Sequence, residues 1–421
     1  MSAVTNGRGS LKNWAVMALM AALGAPGIIL RVGGVHPHPT IGAIVFGLAI
    51  LAAAFLLSWA AETAEMDIPQ GVAIAAIAFI AVLPEYAVDF VLAWRAGSDP
   101  TEAAKGLAIA NMTGGNRLLI GVGWTTVFAL FVYRSRIRQL VVDRHRGLEL
   151  AFLLVASAYV MMIAVRHSLT LIDTMVLVSL FFCYLYFSSK IEGEEVELVG
   201  PAKAMGSLPT TRRRGAVMLT LIYSAAVIFS AAEPFADSLV ETGQRFGVSE
   251  FLLIQWLAPL ASESPEVLVA GLLAWRGRAA VGMSALISSE VNQMTLLIGT
   301  LPLAFGLAGG GFALTGGLPF DMRQREEIFL TGAQSMFAVA VFANLKMRQS
   351  EAVALFLLFA ASLFITGENL RLWYGGFYLT LCATLLVINR RELPQTLRGA
   401  WHVVRGRADH HVAAEAEPEP G

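Results

Sequence analysis

Cysteine and charge are both in short supply. Only Cys183 and Cys382 occur in 421 residues, each inside an apolar run, so the chain has neither a disulfide framework nor a CxxC metal or redox motif. Asp, Glu, Lys and Arg make up 14% of the residues and sum to a net charge of -1, which leaves no basic surplus for nucleic acid. HExxH and GxSxG are absent, and Gly309-Gly310-Gly311 lacks the Lys-Ser or Lys-Thr that follows in a phosphate-binding loop, so no enzymatic pattern is present. What abounds is apolar: 56% hydrophobic residues and a mean hydropathy of +0.65, gathered in blocks rather than alternating. That is the profile of an all-α polytopic membrane protein.

A helix needs about 20 mostly apolar residues to cross the hydrocarbon core, because it rises about 1.5 Å per residue. Twelve blocks qualify, near 13–31, 41–61, 71–94, 106–133, 148–165, 169–188, 215–234, 251–275, 279–305, 327–345, 351–366 and 371–389. The first follows Arg8 and Lys12 as a signal peptide would. Retaining it as a helix gives an even count and a clean sorting of Lys and Arg, 21 on the side of the termini against 8 opposite. Both termini of this multi-pass cell-membrane protein are therefore expected to be cytoplasmic, with lipid as its surroundings.

The expected organisation is a cytoplasmic tail at 1–12, a first membrane half at 13–188, a cytoplasmic linker at 189–214, a second half at 215–389 and a cytoplasmic tail at 390–421. The linker mixes Glu192, Glu194, Glu195 and Glu197 with Arg212, Arg213 and Arg214. The end of the tail, DHHVAAEAEPEPG, has no apolar face, so disorder is expected there, His410 and His411 included. Glu62, Glu65 and Asp67 read as a solvated stretch, residues 306–318 as an external loop, and Trp94 and Trp275 as interface anchors.

A repeat organises the two halves. Residues 84–95 read PEYAVDFVLAWR and residues 265–276 read PEVLVAGLLAWR; SWAAE at 58–62 is echoed by SAAE at 230–233, and Leu-Leu-Ile-Gly recurs at 118–121 and 296–299. The two Pro-Glu copies fall in the third and eighth spans, and an odd number of spans between them reverses their direction. Inverted repeats of this kind hold ion sites near the midplane, where the repeats meet. Each Glu lies deep in its span, where an ionisable group costs at least a few kcal/mol and faces a cavity, a partner or an ion. The adjacent Pro cannot donate to the carbonyl four residues back, which frees the oxygens of Ile80 and Ala261. Hard cations want several oxygen ligands, and paired carboxylates with freed carbonyls supply them. Glu85 and Glu266 are the expected pair.

These residues resemble the sodium/calcium exchanger family of cation/Ca²⁺ antiporters, whose two alpha repeats carry Gly-Thr-Ser-x-Pro-Glu on one helix and Gly-Asn with Gly-Ser-Asn on the next. The resemblance spans roughly 58–123 and 230–299 and rests on Pro84-Glu85, Pro265-Glu266, Asn111, Gly114-Gly115-Asn116 and Ser288-Ser289-Glu290-Val291-Asn292. It implies two inverted five-helix repeats flanked by the first and last helices. It also implies a cation site centred on Glu85 and Glu266, assisted by Asn111, Asn116, Ser262, Glu290 and Asn292. Departures stand at Ala81-Val82, where the family has Thr-Ser, at the added acids Glu263 and Asp89 (the repeat partner of Asp89 is Ala270), and at Arg117, directly after Asn116. Asp89, Arg117 and Glu263 are expected modulators, with Arg117 pairing to Glu85, Asp89 or Glu290 and either replacing one bound cation or locking an ion pair.

The expected function is secondary antiport of Ca²⁺ or Na⁺ against Na⁺ or H⁺ by alternating access, with small cations as cargo and no cofactor. Two other readings use the same acids: a cation channel, with the carboxylates as its filter, and a non-transporting relic of the exchanger fold.

Overall fold

The chain's structure, a computed structural model, describes residues 2–64, 66–67, 83–101, 106–142, 146–190, 198–312, 314, 317–365, 367 and 369–390. Thirteen helices follow one another within them: α1 (Ser2–Val32), α2 (Pro39–Ala64), α3 (Leu83–Ser98), α4 (Leu107–Ser135), α5 (Gly147–Val165), α6 (Leu171–Ser188), α7 (Gly200–Gly206), α8 (Thr210–Phe246), α9 (Glu250–Trp275), α10 (Ala279–Gly310), α11 (Met322–Val341), α12 (Gln349–Ser362) and α13 (Leu370–Ile388). Nine of them are long and apolar enough to cross a bilayer. The shorter apolar α12, the charge-tipped α11, and α3, whose expected first half at 71–82 lies outside the described residues, complete the twelve expected spans. The relation of charge to burial is that of a protein in lipid: Trp373 and Phe364 are 80% and 84% exposed, while many carboxylates and amides are fully enclosed.

Four features differ from expectation. Helix α8 starts at Thr210 and runs 37 residues, so the basic end of the expected linker and Glu233 belong to one continuous helix. Helix α7, inside the expected linker, buries Ala202 and Met205 against Met17, Trp59 and Ala60. Helix α11 begins at Met322, five residues before the expected span at 327–345, which places Glu326 as well as Glu327 in a buried helical turn. Asp321 caps it by accepting from the Gln324 backbone N–H at 2.9 Å. Helix α10 likewise runs to Gly310, into the expected loop at 306–318. Ile80, Ala81, Val82, Glu65, Glu192, Glu194, Glu195, Glu197, His410 and His411 lie outside the described residues.

Contacts between helix ends sort them onto two faces. On one, Gly97 at the end of α3 abuts the Phe305 carbonyl in α10, Arg95 is ion-paired with Asp237, and β2 (Ser168–Leu169) pairs antiparallel with β3 (Leu318–Pro319). On the other, Trp275 at the end of α9 stacks on Tyr133 in α4 with ring centroids 5.7 Å apart, β1 (Gln139–Val141) pairs antiparallel with β4 (Lys346–Arg348), and Asp67 is ion-paired with Arg213 and Arg214. The ends of α3 and α9, the two Pro-Glu helices, therefore lie on opposite faces, and the helices run in opposite directions. This is the inversion expected of the repeats.

Helices α2 and α8 pack together with α1 against both, and α9 packs on α4 and α10. Helix α4 meets α9 at backbone distance because Gly114 is there: a Cβ at this position would sit 1.7 Å from the Gln255 carbonyl oxygen. Both repeats then widen to a π-helical stretch just past the expected site, Leu119–Trp124 in α4 and Gln293–Leu297 in α10. Such bulges recur at functional sites because they re-aim the side chains beside them.

Candidate cation site

Four helices supply the site. Glu85 stands in the first turn of α3 after Pro84, and Asp89 follows one turn later on the same face; they are 3% and 1% exposed. Asn111 on α4 donates through Nδ2 to Asp89 Oδ1 at 2.9 Å. Helix α9 contributes Ser262, Glu263 and Glu266, and the π-helical stretch of α10 contributes Gln293, which donates through Nε2 to Glu263 Oε1 at 3.0 Å. Together Glu85, Asp89, Asn111, Met112, Gly115, Pro259, Ser262, Glu263, Gln293 and Leu297 line one narrow crevice between the repeats. Among the described residues that line it there is no Lys, Arg or His.

The remaining expected residues flank this crevice. Glu266 lies within electrostatic reach of Glu85, and Glu290 within reach of Glu263, so acids from both repeats form one field of like charge. Glu290 Oε1 accepts from the Ser335 hydroxyl at 3.0 Å. Asn292 Oδ1 accepts from the Tyr86 hydroxyl at 3.1 Å, a cross-link between the repeats beside Glu85. Asn116 Nδ2 donates to the Met112 carbonyl at 2.7 Å, and Ser262 Oγ donates to the carbonyls of Ala258 and Pro259, each at 3.3 Å.

The amides and hydroxyl spend their hydrogens locally, and oxygens remain. Both carboxylate oxygens of Glu85, and Asp89 Oδ2, Asn111 Oδ1, Asn116 Oδ1, Glu263 Oε2, Glu266 Oε1, Glu290 Oε2 and Gln293 Oε1 are buried without a hydrogen-bond donor. Orphaned buried acceptors at this density are uncommon in folded proteins, and oxygens are what a hard cation binds. Among the described residues, however, no three His, Cys, Asp or Glu side chains converge into a ready-made metal cage. The carboxylates share a field without sharing a coordination point, so a bound ion would draw on the amide and hydroxyl oxygens as well.

Arg117 is the principal correction. It was expected to pair with Glu85, Asp89 or Glu290, but its guanidinium turns away from all three. Nη1 contacts Glu327 Oε2 at 2.5 Å, Nη2 donates to Ser362 Oγ at 2.6 Å, and the group lies 5.1 Å from the Trp256 ring centroid. Arg371 Nε contacts Glu327 Oε1 at 2.8 Å and Arg371 Nη1 contacts Glu326 at 3.6 Å, giving a buried chain of alternating charge between α4, α11 and α13. Glu326 and Glu327 went unread because they close the charged run Arg323 to Glu327, at the edge of the span expected from 327, until α11 is seen to begin at Met322. Gln293 and Tyr86 were missed too. Their only signal was position, immediately after Asn292 and Glu85.

A family model described as sodium/calcium exchanger protein matches residues 38–190 and 216–367. Among solved structures, the chain is similar to the H⁺/Ca²⁺ exchanger CAX, at 39% identity over 94% of this chain and 99% of that one, with a TM-score of 0.89. It shares its fold with the Ca²⁺/H⁺ antiporter protein YfkE (15% identity, 83% and 100% covered, TM-score 0.59) and with the sodium-calcium exchanger NCX_Mj (16%, 81% and 100%, 0.52). No curated protein sequence matches it. With both repeats inside the family model and a 39% identical exchanger over nearly its whole length, the chain belongs to the sodium/calcium exchanger family of cation antiporters.

Proposed function

We propose that this antiporter exchanges Ca²⁺ for protons by alternating access, with Glu85 and Glu266 as the paired ligands. Asn111, Asn116, Ser262, Glu290 and Asn292 lend oxygens, and Asp89 and Glu263 add acidic charge. The observation that carries the reading is the set of four buried carboxyl groups, Glu85, Asp89, Glu263 and Glu290, with the half-buried Glu266 beside them, gathered from both repeats around a crevice lined by no basic side chain among the described residues, with the nearby Arg117 spent on Glu327. A charged group at mid-membrane costs at least about 2.5–3.5 kcal/mol, so each such carboxylate is neutralised by a bound cation or by a proton. The two compete for the same oxygens. A site reached from each face in turn then couples the outflow of one to the inflow of the other.

Ca²⁺ takes about 6–8 oxygen ligands, which the carboxylates and orphaned amide oxygens can supply together. The 39% identical relative is an H⁺/Ca²⁺ exchanger, and that supports this choice of ions over Na⁺. The excess of Lys and Arg beside the termini supports a cytoplasmic location for both.

The test is ⁴⁵Ca²⁺ and ²²Na⁺ uptake into proteoliposomes under imposed pH or Na⁺ gradients. Expected is Ca²⁺ uptake driven by the pH gradient, abolished in both Glu85→Gln and Glu266→Gln. Uptake driven only by Na⁺ would replace the proton as counter-ion, and cation flux with no exchange requirement would convert the reading to a channel.

A further inference from the structure

On the face that carries the ends of α4 and α9, the β1–β4 ribbon joins two loops more than two hundred residues apart. Its register sets Gln139 opposite Arg348, and the Gln349 backbone N–H donates to the Arg138 carbonyl at 3.1 Å. Two exposed arginines, Arg138 and Arg348, are thereby brought to one open groove of about 680 Å³, completed by Gln139, Gln349, Ser350 and Val353. Neither guanidinium is ion-paired among the described residues; the acid that feels Arg348 is Glu351, which accepts from the Arg348 backbone N–H at 2.6 Å and thereby caps α12. The first turn of α12 opens at the same place and adds its partial positive charge.

Below this groove the surface turns apolar at once. Val353, Phe356 and Leu357 on α12 are 48%, 47% and 58% exposed at helical spacing, a stripe that faces lipid. Tyr133 and Trp275, stacked at the end of α4, and the exposed Ile137 mark the level of the membrane interface on this face. A basic polar groove directly above an acyl-facing stripe is complementary to one kind of molecule, with a negative head and two apolar tails.

We propose that the groove between β1, β4 and the start of α12 is a binding site for an anionic phospholipid, with Arg138 and Arg348 on the headgroup phosphate and the Val353-Phe356-Leu357 stripe along an acyl chain. Basic clusters of this kind face the cytoplasmic leaflet, where anionic lipid collects. The site is independent of the cation crevice and of which ions are exchanged.

Native mass spectrometry of the full-length protein, titrated with phosphatidylglycerol or phosphatidylcholine, tests it. Expected is preferential retention of phosphatidylglycerol, weakened roughly thirtyfold in the double variant Arg138→Gln/Arg348→Gln for the loss of two surface charges, with phosphatidylcholine unaffected. The neighbouring pair Arg134→Gln/Arg136→Gln, exposed on the same face outside the groove, is expected to leave phosphatidylglycerol binding nearly intact. Equal weakening in both double variants would overturn the site in favour of a diffuse basic rim. Displacement of the lipid by millimolar inorganic phosphate would overturn the lipid assignment, leaving a site for a free anion. Both double variants change exposed side chains, and unchanged melting temperatures verify that they fold.

Discussion

Replacing Arg117 by Met probes the buried charge chain without filling the site with a new polar group. The arginine and Glu327 are each 1% exposed, and their contact at 2.5 Å has no water to fall back on. Removing one partner of a buried pair costs about 3–5 kcal/mol, most of it from the charge left behind. Here Glu327 keeps Arg371 at 2.8 Å, which places the loss at the lower end, about 3 kcal/mol, with about 1 kcal/mol more from the stacking over Trp256. Adding Glu327→Gln to Arg117→Met neutralises the orphaned charge and is expected to restore about 2 kcal/mol, a coupling that a double-mutant cycle in a mixed-micelle SDS unfolding titration would resolve. In proteoliposomes Arg117→Met is expected to leave the stoichiometry of cation exchange unchanged, because the guanidinium contacts Glu327 and Ser362 rather than Glu85, Asp89 or Glu290. A stability loss below about 1 kcal/mol, the range of exposed pairs, would refute the burial argument. An altered coupling ratio would refute the assignment of Arg117 to the α11 chain and return it to the cation site.

Three further outcomes follow from particular contacts. Gly114→Ala drives a methyl group into the Gln255 carbonyl and is expected to cost about 1–3 kcal/mol in the same titration, with transport reduced as α4 and α9 part; a neutral result would mean that the two helices are not in backbone contact. Arg95→Ala breaks the half-exposed pairs with Asp237 and Glu233 and is expected to change stability by only about 0.2–1 kcal/mol, so a larger loss would show a buried role for that arginine. Arg213 and Arg214 hold the Asp67 carboxyl below its usual range, first through the hydrogen bond from Arg213. A depressed value means that this contact stabilises the fold above the unfolded-state value of about 4 and loses that contribution as pH falls through the lower folded value. Melting temperature followed down to pH 3 should therefore fall more in the wild type than in Asp67→Asn, and parallel curves would remove Asp67 from the acid response.

Composition and spacing determined the membrane class, the twelve spans and the inversion of the repeats, since each depends on properties carried by the chain itself: the length of an apolar block, the number of spans between Pro84-Glu85 and Pro265-Glu266, and the sorting of Lys and Arg between faces. They also named the acids that surround the crevice, because a carboxyl deep in an apolar block announces itself. Partners were a different matter. Nothing local says that Arg117 meets Glu327, 210 residues away, rather than Asp89, because direction around a helix and the reach of a side chain are decided by which helix packs against which face. The same is true of Gln293 against Glu263, of Tyr86 against Asn292, and of Arg138 beside Arg348 across a ribbon whose strands are three residues long. One-dimensional pattern encodes burial and period; pairings between distant segments exist only once the helices have packed, and those pairings decide which charges remain free for an ion and which are already neutralised.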